Sequence, residues 1–128
     1  MAISYTVGER INPRDLSAPK KFYAFPKTNG EMTLRELSKR IADISTVSSI
    51  DTMAVLEALL QVIPEELAEG NIVRLGDFGS FFTTISSGSA EKEEDFYNDL
   101  IEKTSIKFRP GKQVKNVLNN VTYKKVNA

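Results

Sequence analysis

The sequence predicts an α+β fold: a small β-hairpin extension, two helices, a three-stranded β-sheet with a projecting arm, and a short C-terminal helix. Three observations carry it. Apolar residues recur every three or four positions between residues 33 and 68, β-rich stretches flank a glycine-bounded turn at 76–79, and residues 3–7 alternate apolar with polar.

Taken in order, Ile3-Ser4-Tyr5-Thr6-Val7 reads as a half-buried strand, Asn12-Pro13-Arg14-Asp15 as a turn, and Lys21–Phe25 as a second strand stopped by Pro26. Tyr5, Phe22, Tyr23 and Phe25 could stack on bases. Aromatics alternating within a strand are more often core, however, so they stay outside the predicted site. Thr28-Asn29-Gly30 is a cluster of breakers. It sets the expected boundaries: an extension over 1–31, a domain over 32–120 and a tail over 121–128.

Thr33 followed by Glu36 forms a capping box, and Leu34, Leu37, Ile41 and Ile44 then give one apolar face. Ser48 with Asp51 offers a second box, followed by Met53, Leu56, Leu59, Leu60, Ile63 and Leu67. Val55 and Val62 widen that face enough for two interfaces. Pro64 lacks the N–H of a helical residue and crowds the preceding turn, which predicts a kink or break, and Gly70-Asn71 supplies a C-terminal stop. Ile72–Leu75 and Ser80–Ile85 read as strands, Phe96, Tyr97, Leu100 and Ile101 as a short amphipathic helix, and Ser105–Phe108 as a strand. Lys112–Asn120 reads as a helix, and Val121–Val126 as a last strand pairing with the N-terminal hairpin.

Composition removes several function classes. At 128 residues with 41% hydrophobic content, the chain can build one domain with modest extensions. It has no cysteine and no histidine, hence no disulfide framework, no thiolate metal site and no imidazole base, and no nucleophile and base stand at useful spacing. The expectation is therefore no catalytic residues, no metal, no cofactor and no small-molecule substrate. No apolar run approaches a membrane span and the N-terminus lacks a secretory pattern, so a cytoplasmic protein is expected. Net charge is zero but unevenly distributed: residues 105–128 carry six basic and no acidic side chains, while residues 89–104 carry two basic and six acidic.

Two segments are more specific. Ile72-Val73-Arg74-Leu75-Gly76-Asp77-Phe78-Gly79-Ser80-Phe81 resembles the hairpin signature of the HU/IHF histone-like family, and Ile106-Lys107-Phe108-Arg109-Pro110-Gly111-Lys112 resembles its closing signature, in the same order. The resemblance implies an intertwined homodimer whose sheets cup double-stranded DNA at the nucleoid, with shape-dependent, largely sequence-independent phosphate contacts. On the matching positions it implies DNA-binding roles for Arg74, Lys107, Arg109, Lys112 and Lys115. Four phosphate contacts per dimer would give a log-log salt slope of about −4.

The arm departs from the family pattern. Residues 86–104 contain neither arginine nor proline, and Glu91-Lys92-Glu93-Glu94-Asp95 would repel phosphate; it reads as a solvated acidic face or a DNA mimic covering the saddle. The same acidity and the zero net charge motivate a second expectation, an assembly module that kept the dimer and lost the DNA. Lys124 and Lys125 read as surface charge.

Overall fold

The computed structural model describes residues 1–127 and divides into two compact units, one of Met1–Thr33 with the residues from Val117 onward, the other Leu34–Asn116.

In the first unit, β1 (Ala2–Arg10) pairs antiparallel with β2 (Lys21–Lys27). Their connection is tied by side chains that mimic backbone turns. Asn12 Oδ1 accepts from the Arg14 N–H, and Asp15 Oδ1 accepts from the Ser17 N–H at 3.0 Å and the Ser17 hydroxyl at 2.6 Å. These donors favour the charged carboxylate and hold Asp15 below its ordinary pKa. Pro26 does not stop β2, which runs through it to Lys27. β2 is an edge strand, where a residue without an N–H is tolerated. A late strand, Thr122–Lys125, adds parallel to the other side of β1, with Ala2 opposite Thr122 and Ser4 opposite Lys124. The expected pairing of the chain's last strand with the N-terminal hairpin is present.

The second unit opens with α1 (Leu34–Ile44) and α2 (Ser49–Ala68), which pack on each other. Ser48 caps α2, its hydroxyl accepting from the Asp51 N–H at 3.1 Å. Ser48→Ala is expected to lower stability by about 1 kcal/mol, read as a denaturant midpoint shifted at constant slope. Of the kink or break expected at Pro64, a break is not there, since the helix continues to Ala68. Proline's fixed φ suits a helix and its cost is one lost backbone bond plus local crowding, while Leu67, one turn on, is buried at 4% exposure. The helix ends in a Schellman motif. Gly70 takes φ +86°, its N–H bonds the Leu67 carbonyl, and the Asn71 N–H bonds the Glu66 carbonyl.

β3 (Val73–Arg74), a tight turn at Gly76–Phe78, β4 (Gly79–Ser87) and β5 (Ile101–Pro110) form an antiparallel sheet in the order β3-β4-β5. The helix expected around Phe96–Ile101 does not form. Residues 88–100 are instead a connection with single 3-10 turns at Glu93–Asp95 and Asn98–Leu100, closed at its base by the Gly88 N–H on the Leu100 carbonyl at 2.8 Å. A run of adjacent carboxylates and a Ser/Gly-rich approach oppose helix nucleation, and Ile101 pairs into β5. The chain then turns at Gly111 into α3 (Lys112–Asn119).

Little of this chain is buried. Met53, Leu56 and Ile63 on α2 are half-buried, but Val55, Leu59, Leu60 and Val62 are exposed. The wide apolar face read from the sequence therefore has only one of its two sides occupied within a single chain.

Candidate nucleic-acid interface

Strand alternation gives the β3-β4-β5 sheet two unlike faces. Across the ladder Val73 opposes Phe81 and Phe81 opposes Phe108, with Thr83 opposite Ile106. These residues form the apolar face. Phe78, Phe81 and Phe108 cluster there, with the Phe108 ring centroid 5.5 Å from Phe78 and 4.8 Å from Phe81, both pairs tilted.

The opposite face is basic and polar. Ser80 lies between Arg74 on β3 and Arg109 on β5, so the two arginines share one row across all three strands. Phe82 opposes Lys107 in the next row on that face, Thr84 opposes Ser105, and Ser86 opposes Lys103. Arg74, Lys103, Lys107 and Arg109 are all exposed, and among the described residues no carboxylate stands in these rows.

The Arg109 guanidinium lies 5.1 Å from the centre of the Phe82 ring. Stacking of this kind restrains a long side chain while leaving its N–H fork free for an anion. Together with Arg74, Ser80, Asn71 and Gly70, these two residues border a shallow concavity of about 220 Å³. Two glycines bring β5 and its exit close to the turn before β4. A Cβ on Gly79 would meet the Arg109 carbonyl at 2.6 Å and the Phe108 ring at 2.7 Å. One on Gly111 would overlap the Asp77 backbone, and the Gly111 N–H bonds the Phe78 carbonyl at 2.8 Å.

Of the residues expected from the sequence, Arg74, Lys107 and Arg109 share this face. Lys112 and Lys115 do not belong to it; they lie one turn apart on α3, both exposed. Lys103 is the residue that sequence reasoning misses. A strand beginning at Ser105 leaves it in the acidic segment, yet Lys103-x-Ser105-x-Lys107-x-Arg109 has the two-residue period that could find it. Among the described residues no group of side chains is suited to hold a metal ion, and no helix is long and apolar enough to cross a membrane.

Comparisons with known proteins fit this geometry. A family model, HU-HIG, described as an HU domain fused to wHTH, Ig, or Glycine-rich motif, matches residues 1–125. The DNA-binding protein HU of Thermotoga maritima is 32% identical over 88 residues, which cover 66% of this chain and 96% of that protein. The DNA-binding protein HRL53 of Rhizobium leguminosarum is 29% identical over 92 residues, covering 69% and 99%. Among solved structures, Anabaena HU cocrystallised with DNA superposes with a TM-score of 0.54 at 26% identity over 70% of this chain and 99% of that one. A putative DNA-binding protein from Bacteroides vulgatus reaches a TM-score of 0.64 at 13% identity, a likeness of fold; it covers 98% of this chain, which spans 48% of that longer one.

Proposed function

Because the chain belongs to the HU-HIG family, we propose that its β3-β4-β5 sheet holds the phosphate backbone of double-stranded DNA as one half of a homodimer, at the bacterial nucleoid. The observation that carries this reading is the basic face: Arg74 and Arg109 in one row, Lys107 in the next and Lys103 two rows further, with no carboxylate in these rows among the described residues. Cations in a row recognise the regular charge of a duplex rather than its base edges, so the contacts are shape-dependent and largely independent of sequence. Lys112 and Lys115 on α3 supply further phosphate contacts. The relatives named above as DNA-binding proteins support the same reading.

Dimer formation is supported by the apolar side of α2 that a single chain leaves in water. In this reading residues 32–120 are the DNA-binding domain, and 1–31 with 121–128 are an addition to it. The acidic connection between β4 and β5 disfavours insertion into a groove, so the protein lies along DNA through its sheet faces and does not kink it with its arms.

The test is a fluorescence-anisotropy titration against a duplex of about 30 base pairs across a salt series. Saturable binding is expected, weakening with salt at a log-log slope of about −4 or steeper. Lys107→Glu with Arg109→Glu should reduce affinity at least about 100-fold. Lys103→Gln should weaken binding uniformly across sequences and reduce the slope by about 1 to 2, since a homodimer loses two contacts. An unchanged slope would remove Lys103 from the interface, and no binding at low salt would reject DNA as the ligand.

A further inference from the structure

The other three-stranded sheet has a face of its own that the DNA reading does not use. Register places Lys21, Tyr23, Phe25 and Lys27 of β2 on one side, with Arg10, Gly8, Thr6 and Ser4 of β1 and Lys124 of the last strand. Arg10 opposes Lys21, and Ser4 lies between Lys27 and Lys124 in a single row. The face thus has cations at both ends and two aromatic rings between them, and among the described residues no carboxylate stands on it. Glu9 lies on the opposite side.

The rings are prearranged. Phe25 leans across β1 at Gly8, where a Cβ would meet its ring at 2.8 Å, so only glycine leaves the space it fills. The Arg10 guanidinium lies 5.1 Å from the Phe25 centroid and 5.5 Å from that of Tyr23. Tyr23 remains 45% exposed, contrary to the expectation that these aromatics are core, and Phe22 on the reverse side is more exposed still. Tyr23 and the Arg10 guanidinium beside it combine π-surface with positive charge.

We propose that this face is a second nucleic-acid surface, specific for single strands. Along β2 the order is cation, ring, ring, cation, with successive positions about 6.6 Å apart. A single strand offers phosphates and unstacked bases side by side and satisfies both, whereas a duplex keeps its π-faces inside its own stack and would leave the rings unused. Charge complementarity selects a polyanion, and the rings select one whose bases are free.

The experiment uses the whole chain with two probes, a labelled oligothymidylate of about 20 nucleotides, longer than the usual site of a sheet platform, and the duplex used above. Lys21→Gln with Lys27→Gln and Lys124→Gln touches only exposed side chains, so folding is checked by an unchanged melting temperature. This triple variant should bind the oligothymidylate at least about tenfold more weakly, with a salt slope reduced by about 2. Tyr23→Leu alone should lose about fivefold or more. Both should bind duplex within about twofold of the parent, while Lys107→Glu with Arg109→Glu does the reverse, so either reading can fail without the other. Unchanged oligothymidylate affinity in the triple variant, or an equal loss on duplex, overturns the assignment.

Discussion

Leu59→Glu combined with Val62→Glu is expected to abolish cooperative unfolding at micromolar concentration. Both side chains are exposed in the single chain, in one stripe with Val55 along α2. In the proposed dimer they are core. Removing one buried aliphatic side chain costs about 2–5 kcal/mol, and two-fold symmetry counts each substitution twice. The loss then exceeds the whole stability of a small domain. Gln61→Lys, on the same helix but at a polar exposed position, should be nearly silent. The parent's melting temperature should rise with protein concentration, as it does when folding is linked to association. A double variant that stays folded as a monomer, with the parent's melting temperature, would falsify the proposed dimer.

The second large effect is expected at Gly79. Alanine there must hold φ near +150° and place its methyl against two partners that cannot yield easily, the Arg109 carbonyl and the Phe108 ring. The cost should be about 3 kcal/mol or more, lowering the melting temperature by roughly 10–20 °C. Gly30 is the control. Its φ is +143°, yet a methyl added there would meet nothing within 4 Å, so Gly30→Ala carries backbone strain alone and should lose about 1 kcal/mol. Equal losses at the two positions would mean that close packing at Gly79 is not what requires glycine. Because Gly79 faces Pro110, its substitution should also weaken duplex binding beyond the stability loss by moving Arg109.

What can be read in the sequence depends on whether a pattern is local. The helices of residues 34–44 and 49–68 announce themselves by period and by Ser48, and the row of Arg74, Lys107 and Arg109 is implicit in strand alternation around motifs that resemble a known family. Lys103 escapes because a strand continuing out of an acidic stretch has no local start signal. The helix expected at Phe96–Ile101 rests on spacing that a loop with two 3-10 turns satisfies equally. Pro26 reads as a stop and Pro64 as a kink or break, yet one occupies an edge strand and the other a helix that runs on without a break. Whether Tyr23 and Phe22 are covered depends on what packs against the sheet, which no residue of their own strand specifies.

The pairing of β1 with the last strand also sets an order of events. Thr122 donates its hydroxyl to the Met1 carbonyl across 121 residues of chain. During synthesis β1 and β2 emerge long before that strand, and the free edge of β1 then waits, unpaired, while everything up to Thr122 is made. An open strand edge is a template for pairing with other chains. The hairpin is thus open to misassociation on the ribosome until its third strand arrives.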